Sequence, residues 1–502
     1  MMNRRGKSDS FVVPEKPSNK GERTAASSAE GVEGRGLAKG NSQEHNRTRA
    51  QTRLDLQSGL ERIREAAVRD KGLRFTNLWF HVCDVERLRE AYLGLKRDAS
   101  PGVDGVTWRE YGKTLDENLR DLSERMKSGA YRAKPVKRVY IPKPDGRQRP
   151  LGVTALEDKI AQRATVEVLN AVYETDFLGF SYGFRPRRSA HMALDALAVG
   201  IQTKAVNWVL DADIRGFFDA IDRECLMGLI ERRVTDVRAT RHIRKWLNAG
   251  VLENGRRTKQ EAGTPQGSSI SPLLANIYLH YALDVWANEW RRERVRGAVI
   301  IVCWADDFVV GFEHREDAER FVAELRERLA EFHLELHPDK TRIIAFGRKA
   351  DDDWRSGNGP KPGTFDFLGF THSCDRTRKG NRFIVLRQTM RIRLTAKLKA
   401  MKQWLREHLH DPVPMVGAHL ERVIRGHVQY FGVPRNGPSL RAFIKGLARL
   451  WYMALRRRSQ KTRMTWKRMY RLLRIHFPPP RIVHPYPDRR FAVMTQGKSP
   501  VR

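Results

Sequence analysis

Two apolar segments meet at a pair of acidic residues in the stretch Ala298-Val-Ile-Ile-Val-Cys-Trp304-Ala-Asp306-Asp307-Phe-Val-Val-Gly311. Each segment has the length and composition of a buried strand, and only a short connection fits between them. The stretch therefore predicts a tight β-hairpin with carboxylates at its tip.

A second acidic cluster follows another strand pattern, in Trp208-Val-Leu-Asp211-Ala-Asp213-Ile-Arg-Gly-Phe-Phe-Asp219. Carboxylates that lie together beside apolar strands repel each other unless a cation holds them. Mg²⁺ prefers such hard oxygen ligands, and two ions about 4 Å apart can activate a hydroxyl and stabilise a departing pyrophosphate. Taken singly, either cluster fits a solvated turn equally well, since the run Asp351-Asp-Asp353 occurs in what the sequence predicts to be a loop.

The charge of the chain indicates a polyanionic partner. The 502 residues include 94 Lys and Arg against 59 Asp and Glu, which gives a formal net charge of +35 at pH 7. Such an excess of cations is typical of proteins that bind nucleic acid. Residues 376–475 carry much of it, with 26 Lys and Arg against three acidic residues.

Several other classes of protein are disfavoured. The four cysteines form no Cys-x-x-Cys pair, which argues against a disulfide scaffold and a Cys-type zinc site. No apolar run approaches the roughly 18–20 residues of a membrane span. The N-terminal residues Met1-Met-Asn-Arg-Arg-Gly lack the apolar stretch of a secretory signal. We therefore expect a protein of the cytoplasm.

The order of the predicted elements indicates an α+β fold rather than a regular βαβ repeat. Apolar residues recur at helical spacing over 156–172 and 318–332, between the strand patterns quoted above. Residues 1–62 have almost no aromatic residues, and we predict a disordered basic tail there. A basic, largely helical region is expected over 376–480, with a basic, Pro-rich extension at 481–502 that binds a partner.

Seven motifs in order resemble those of group II intron-encoded reverse transcriptase/maturases. Asp213-Ile-Arg-Gly-Phe-Phe-Asp219 is similar to the first palm motif of reverse transcriptases, and Trp304-Ala-Asp-Asp307 to their Tyr-x-Asp-Asp box. The others, in chain order, are Ile141-Pro-Lys-Pro-Asp-Gly-Arg-Gln-Arg-Pro-Leu-Gly152, Ser181-Tyr-Gly-Phe-Arg-Pro186, Gly263-Thr-Pro-Gln-Gly-Ser-Ser-Ile-Ser-Pro-Leu-Leu-Ala-Asn-Ile277, Leu336-His-Pro-Asp-Lys-Thr-Arg342 and Phe365-Asp-Phe-Leu-Gly-Phe370. Ser100-Pro-Gly-Val-Asp-Gly-Val-Thr107 resembles the block before the fingers. The match is strong over about 85–372 and continues weakly to about 500.

The resemblance implies a right-hand polymerase with fingers and palm at 63–375 and an α-helical thumb, or maturase X domain, at 376–480. The implied reaction is RNA-directed DNA synthesis with two Mg²⁺ ions. Implied partners are the intron RNA, an RNA template/DNA primer duplex, target DNA and dNTPs, within a bacterial nucleoid-associated ribonucleoprotein. The resemblance also implies a role in splicing and in intron mobility by target-primed reverse transcription. The oligomeric state is left open, with a dimer as one option.

Two departures from the family pattern qualify these expectations. The nuclease that some members carry after the thumb, with its His-Asn-His and paired-Cys pattern, has no counterpart here, so we expect no cleavage of a second DNA strand. Trp304 stands where the family has Tyr. This exchange keeps a flat ring but loses the phenol hydroxyl, which bears on positioning and rate.

The resemblance assigns the metal-binding, catalytic triad to Asp213, Asp306 and Asp307. Asp211 and Asp219 are expected to have structural roles in the turn rather than to bind metal. Contacts to the incoming dNTP and to the primer end are implied for two further sets, namely Lys143, Arg149, Phe218, Gln266 and Lys340 for the dNTP, and Phe367, Leu368 and Gly369 for the primer grip.

Some of these roles have alternatives. Phe218 is expected to lie under the sugar of the nucleotide and select deoxynucleotides, but Phe217 could face the sugar instead. Lys143 and Arg149 flank a Pro-Asp-Gly turn and are expected to neutralise the triphosphate, although a basic hairpin there could contact the template. At the level of function, the alternatives are a related reverse transcriptase outside introns, as in phage defence, and an RNA-binding splicing factor without polymerase activity.

Overall fold

A computed structural model of the chain describes residues 41–142, 148–253, 255–258, 262–458 and 464–495. The chain divides into two compact units, residues 1–52 and 53–502, and the fold described below is that of the second. Its strands are β1 Val136–Pro142, β2 Gln148–Val153, β3 Trp208–Asp213, β4 Val251–Glu253, β5 Arg256–Thr258, β6 Val299–Trp304, β7 Asp307–Phe312, β8 Arg342–Ala345, β9 Phe365–Phe367, β10 Phe370–Arg376 and β11 Phe383–Thr389.

Helices cover most of the remaining described residues. They are α1 Asn41–Arg69, α2 Trp79–Val82, α3 Val85–Leu93, α4 Trp108–Tyr111, α5 Leu115–Ser128, α6 Leu156–Tyr173, α7 Ala190–Thr203, α8 Phe217–Ala220, α9 Arg223–Glu231, α10 Val237–Leu247, α11 Ser271–Leu279, α12 Val285–Glu293, α13 Arg315–Ala330, α14 Arg348–Arg355, α15 Arg391–Glu407, α16 Val413–Phe431, α17 Gly437–Arg457, α18 Trp466–His476 and α19 Pro487–Thr495. The mixture of helices and sheets confirms the predicted α+β class, and none of the helices that the structure describes is long and apolar enough to cross a membrane.

The sheet that carries the acidic clusters has the antiparallel order β6-β7-β3-β8. Side chains alternate between its faces, so Phe308 and Val310 enter a core with α6, α11 and α13, while Val309 enters a second core with α7. Burial on both faces explains why β6 and β7 are continuous apolar runs. The predicted hairpin and the helices at 156–172 and 318–332 are confirmed as β6/β7, α6 and α13.

A second sheet lies at the N-terminal side, in the order β2-β1-β4-β5. Strands β1 and β2 form the antiparallel hairpin predicted around the Pro-Asp-Gly turn. Its connection, residues 143–147, lies outside the described residues. The backbone N–H of Gly152 in β2 donates to the carbonyl of Gln266 at 2.6 Å, which ties this hairpin to the loop before α11.

The basic C-terminal region starts with sheet rather than helix. Strand β11 pairs with β10 over residues 383–389, so the helical part begins at Arg391 and not at 376. Helices α15 to α18 then pack around a third core that includes Leu420, Phe443 and Trp451. Every second residue of β11 is buried, which is the two-residue period of a strand. This alternation explains why the segment is a strand and not part of the predicted helical region.

Part of the predicted disordered tail is ordered. Residues 41–62 belong to α1, which continues to Arg69. Ile63 and Ala67 are buried in the main core, and the carbonyl of Leu56 accepts a hydrogen bond from the Arg87 guanidinium at 2.9 Å. A few apolar residues at helical spacing outweigh the polar composition because they pack on an existing core. Residues 1–40 lie outside the described residues.

The extension at 481–502 folds back onto the chain over its described part. The backbone N–H groups of Val483 and His484 donate to the carbonyl of Gly432 at 2.8 and 3.0 Å. Arg490 then forms an ion pair with buried Asp195 of α7 at 3.1 Å. The described part of this segment is therefore built into the fold, and the contact with a partner that the sequence suggests stays a prediction. Residues 496–502 lie outside the described residues.

Candidate active site

The predicted acidic residues come together where β3 ends and β7 begins. Asp213 and Asp307 are directly opposite each other in the register of the two strands. Asp306 lies in the two-residue turn between Trp304 and Asp307, which are themselves paired. Ala305, the other turn residue, has a φ of 55°, and this left-handed conformation makes the sharp reversal at the hairpin tip possible.

Two cations face these carboxylates from the neighbouring segment. The Lys340 ammonium forms an ion pair with the Asp213 carboxylate. Arg342, at the start of β8, donates to the Asp211 carboxylate at 2.8 Å. The backbone N–H of His337 donates to the carbonyl of Asp213 at 2.8 Å, so the segment that carries Lys340 is anchored to the end of β3.

The carboxylates are electrostatically frustrated. Burial is the main cause that raises the pKa of Asp307 to about 8. The nearby carboxylates of Asp211, Asp213 and Asp306 also raise this pKa, although Lys340 opposes the shift. Burial also raises the pKa of Asp306, as does Asp213, against the opposing effects of Arg149 and Lys340. A divalent cation would relieve this repulsion, and the donors are the hard oxygens that Mg²⁺ prefers.

The carboxylates do not form a complete metal-binding site in this structure. Among the residues that the structure describes, no group of three or more His, Cys, Asp or Glu side chains has an arrangement that could hold a metal ion. The Lys340 ammonium provides positive charge at Asp213 instead. The donor set therefore fits Mg²⁺ in its chemistry, and in this structure Lys340 is the counter-ion of Asp213.

A cleft of about 1100 Å³ opens over these residues. Arg149 from β2, Gln266 from the loop before α11, and Phe218 line it together with Asp213, Asp306, Asp307 and Lys340. Of the residues expected to contact the dNTP, these four, Arg149, Phe218, Gln266 and Lys340, are thus brought to one cavity. Lys143 lies outside the described residues.

The two phenylalanines after Asp213 have different surroundings. Phe217 is 1% exposed and belongs to the main core, where its ring lies 6.5 Å from that of Tyr278. Phe218 is partly buried and only packs against the edge of that core. Of the two rings, Phe218 has the exposure that a contact with a ligand in the cleft requires.

Glycines hold the loop of Gln266 against its neighbours. A Cβ on Gly267 would lie 2.6 Å from the carbonyl oxygen of Gly152, and Gly267 has a φ of 109°. A Cβ on Gly263 would lie 2.9 Å from the Cα of Asp219. Both positions need glycine for close backbone approach, which fixes Gln266 between the β1/β2 hairpin and the turn that follows Asp213.

Phe367, Leu368 and Gly369 form a second tight turn, between β9 and β10. Phe367 is buried, whereas Leu368 and Gly369 have φ values of 48° and 85°. The Tyr430 hydroxyl of α16 donates to the carbonyl of Leu368 at 2.8 Å. The neighbouring Asp366 and Arg393 line the cleft, so this turn lies between the cleft and the helical C-terminal region.

The sequence matches the reverse transcriptase (RNA-dependent DNA polymerase) family over residues 141–372. It is 34% identical over 312 residues to protein YkfC of Escherichia coli strain K12, a match of 55% of this chain and 81% of that protein. The chain belongs to the reverse transcriptase family. Within that family it matches group II intron-encoded protein LtrA of Lactococcus lactis subsp. cremoris, at 36% identity over 222 residues, 44% of this chain and 37% of LtrA.

A further relative is also associated with an intron. The uncharacterized 91 kDa protein in the cob intron of Schizosaccharomyces pombe is 41% identical over 288 residues, 55% of this chain and 35% of that protein. The chain therefore spans little more than a third of the two intron proteins. These matches relate this member of the reverse transcriptase family to proteins encoded in introns, among them a group II intron-encoded protein.

Sequence reasoning missed the segment that packs against the β6/β7 hairpin. A Cβ on Gly183 would lie 2.5 Å from the backbone nitrogen of Ala305. The Asn276 amide of α11 donates to the carbonyl of Gly183 at 2.8 Å, and the backbone N–H of Tyr182 donates to the carbonyl of Cys303 at 2.9 Å. The motif at 181–186 pointed to this segment, but only the fold shows that it packs on the Asp306 turn.

Proposed function

We propose that this chain catalyses RNA-directed DNA synthesis. The observation that carries the proposal is the register of β3 and β7, which sets Asp213 beside Asp307. Asp306 lies in the turn next to Asp307, and all three carboxylates line the same cleft. In the reaction the 3′-hydroxyl of the primer attacks the α-phosphate of a dNTP. A new phosphodiester bond forms, the bond between the α- and β-phosphates breaks, and pyrophosphate leaves.

Asp213, Asp306 and Asp307 would hold two Mg²⁺ ions, which when bound lower the pKa of the primer hydroxyl and neutralise the departing pyrophosphate. Side chains around the carboxylates bind and orient the nucleotide. Arg149 and Lys340 present positive charge to the triphosphate, and Gln266 orients the nucleotide from its glycine-held loop. Phe218 occupies the space that a 2′-hydroxyl would need. Lys143 is proposed to act with Arg149.

The primer end is proposed to rest on the turn of Phe367, Leu368 and Gly369. The hydrogen bond from Tyr430 to Leu368 supports this role, because it couples the turn to a helix of the proposed thumb. A groove of about 1520 Å³ continues along α15 and α16 and shares Arg393 with the cleft. Its cations, suited to the phosphates of a primer–template duplex, are Arg391, Arg393, Lys397, Lys399, Lys402, Arg406 and Arg422.

A primer-extension assay tests the proposed polymerase. Purified protein, an oligo(dT) primer on a poly(rA) template and dTTP should give extended primer with Mg²⁺ and none with excess chelator. Omission of the template should also abolish extension, which separates templated synthesis from terminal addition. Failure to extend the primer at every Mg²⁺ concentration would contradict the proposal.

A second candidate function is assistance in the splicing of a group II intron RNA. The relative LtrA is described as group II intron-encoded, and this chain has no acidic residue between Gly437 and His476. The exposed side of α17 and α18 therefore offers cations to an RNA outside the polymerase cleft. Mobility would follow if target DNA supplied the primer hydroxyl.

Splicing of RNA transcribed from the DNA around this reading frame separates the two roles. With protein at low Mg²⁺, a maturase should accelerate splicing, and an Asp306→Ala variant should do so equally. Robust cDNA synthesis without any effect on splicing would favour a reverse transcriptase outside introns, for example in phage defence. Splicing without synthesis would favour a splicing factor that lacks polymerase activity.

A further inference from the structure

The far end of the helical region carries a cluster of aromatic rings that lines neither the polymerase cleft nor the groove along α15 and α16. Tyr452 of α17 and Trp466 of α18 are stacked, with ring centroids 4.2 Å apart and planes inclined by 14°. The ring of Tyr470, one turn along α18, lies 6.0 Å from that of Trp466, with the two planes inclined by 41°, so this second pair is tilted rather than stacked. The Arg456 guanidinium lies over the ring of Tyr452, 5.9 Å from the ring centroid.

Two of these rings are open to solvent. Trp466 is 42% exposed and Tyr470 is 59% exposed, whereas Met469 between them is fully buried. Helix α18 is therefore amphipathic, with Met469 facing the third core and the rings facing outward. Large exposed aromatic residues in a row are unusual for a surface that meets only water.

Cations border the rings. Lys467, Arg471 and Arg474 are exposed on α18, and none of the three has an ion pair within the described part of the chain. Thr465 caps the helix by accepting a hydrogen bond from the backbone of Arg468, so the position of Trp466 in the first turn is well defined.

We propose that the aromatic cluster of Tyr452, Trp466 and Tyr470 binds unpaired RNA bases on its exposed rings, Trp466 and Tyr470, with Lys467 and Arg471 on the flanking phosphates. A base has a free face only where the strand is single, since duplex bases are already stacked. An aromatic row beside cations is the combination that single-stranded nucleic acid requires. The proposal rests on the proposed RNA partner, but not on the polymerase reaction.

The test uses the full chain with its cleft already filled by a primer–template duplex. A short fluorescent oligouridine RNA then reports binding elsewhere on the protein. Tyr470→Ala should weaken this binding by about tenfold, which is the effect of losing one stacked base. Trp466→Ala should do the same, and Trp466→Phe should restore most of the affinity because a flat ring is retained.

The salt dependence of RNA binding distinguishes the contribution of the aromatic rings from that of the cations. The Tyr470→Ala protein should keep the wild-type slope of log affinity against log salt, because it loses no charge. A double variant, Lys467→Ala with Arg471→Ala, should reduce the magnitude of the slope by about 1.4, since each lost phosphate contact on a single strand contributes about 0.7. An unchanged slope in the double variant would contradict the assignment of these cations.

A matched control is Trp354→Ala in α14. Trp354 is 38% exposed, but cations of Arg355 and Lys361 already lie 5.4 and 5.7 Å from its ring centroid. This variant should bind oligouridine as the wild type does. Equal losses for single-stranded and double-stranded RNA, or wild-type affinity in Tyr470→Ala, would overturn the proposal.

Two further measurements make failure interpretable. Vesicles of phosphatidylglycerol test a membrane surface as the occupant, and loss of vesicle binding without loss of RNA binding in Tyr470→Ala would also overturn the proposal. Primer extension is measured on every variant. If the wild type does not extend the primer, the proposed polymerase activity alone is contradicted. If the variants extend the primer normally and bind RNA as the wild type does, the aromatic-cluster proposal alone is contradicted.

Discussion

At the scale of single residues, the pair Phe217 and Phe218 gives a sharp test of nucleotide selection. Both residues line the cleft, but the ring of Phe218 is partly exposed, whereas Phe217 is buried in the core. We expect Phe218→Ala to lower the preference for dNTPs over rNTPs by about tenfold or more, because it vacates space for a 2′-hydroxyl. The measurement is single-nucleotide incorporation of dTTP and UTP on the same primer–template.

Phe217→Ala is the matched control for that prediction. It should lower the free energy of unfolding by about 3–5 kcal/mol through a cavity in the core, and leave the preference for deoxynucleotides as it is. If Phe217→Ala relaxed the selection of the sugar and Phe218→Ala did not, the roles of the two rings would have to be exchanged.

The raised pKa of Asp307 predicts a pH-dependent stability. Its folded-state pKa of about 8 lies above that of an unfolded Asp, 3.8, so the folded protein holds an extra proton between these values. Stability is therefore lost as the pH rises from about 4 to about 8. Asp307→Asn removes the ionisation, and in metal-free buffer near pH 8 it should raise Tm by at least about 2 °C.

The control for this prediction is the addition of Mg²⁺. Near pH 5 without metal, the difference in Tm between wild type and Asp307→Asn should shrink. With Mg²⁺ near pH 8, the wild type should gain more than the variant, because the cation relieves the repulsion of Asp307 by Asp211, Asp213 and Asp306. A variant that is less stable than the wild type in metal-free buffer at that pH would contradict the assigned repulsion.

At the scale of elements, the segment behind the β6/β7 hairpin is predicted to set its position. Gly183→Ala places a Cβ 2.5 Å from the backbone nitrogen of Ala305, so the turn that carries Asp306 must shift. We expect kcat to fall by about tenfold to a hundredfold, since displacements near 1 Å have such effects. Steady-state primer extension measures it, with Tm as the check on folding.

Gly228→Ala in α9 is the matched glycine control. A Cβ there meets no other atom within 4 Å, so this variant should keep wild-type kcat and gain slightly in stability. Wild-type kcat in Gly183→Ala would show that the hairpin tolerates the displacement and that its support from behind is irrelevant to catalysis.

The elements themselves show which patterns a sequence can reveal. Strands β3, β6 and β7 and helices α6 and α13 were predictable because each has an apolar pattern of one clear period. The run Asp351-Asp352-Asp353 was predicted as a loop and is helical, in α14. Asp351 is fully buried between Arg355 and Arg376. No local sequence pattern indicates the pairing with Arg376, which is distant along the chain.

The candidate site was predictable for a different reason. Asp213, Asp306 and Asp307 lie beside strands, so the two clusters needed only one strand pairing to meet, and the pairing of β3 with β7 provides it. The ion pair of Lys340 with Asp213 and that of Arg342 with Asp211 required the path of the chain after α13. Such contacts between distant segments leave no trace in composition or periodicity.

At the scale of the whole molecule, a buried ion-pair cluster joins three regions of the chain. Asp195 of α7 pairs with Arg387 of β11 at 2.7 Å and with Arg490 near the C-terminus at 3.1 Å. The side chains of Asp195 and Arg387 are each only 3% exposed. This cluster joins β11 and the C-terminal segment to α7.

Asp195→Ala should therefore destabilise the whole molecule. It leaves the Arg387 guanidinium buried without its partner, which typically costs about 3–5 kcal/mol. Asp121→Ala is the control, because Asp121 is exposed where it pairs with Arg125, and loss of such a pair costs about 1 kcal/mol or less. Thermal unfolding measures both, and similar Tm values for the two variants would contradict the role of the cluster.

The central claim is that Asp213, Asp306 and Asp307 form the Mg²⁺-dependent polymerase centre. Its most direct test is single-turnover incorporation of one dNTP on an RNA template by the wild type, Asp306→Ala and, as a control, Asp353→Ala, whose carboxylate pairs with exposed Lys349 in α14. We predict a fall of at least about a thousandfold for Asp306→Ala, or about 4 kcal/mol of barrier, and a wild-type rate for Asp353→Ala. Wild-type incorporation by a correctly folded Asp306→Ala protein would contradict the claim.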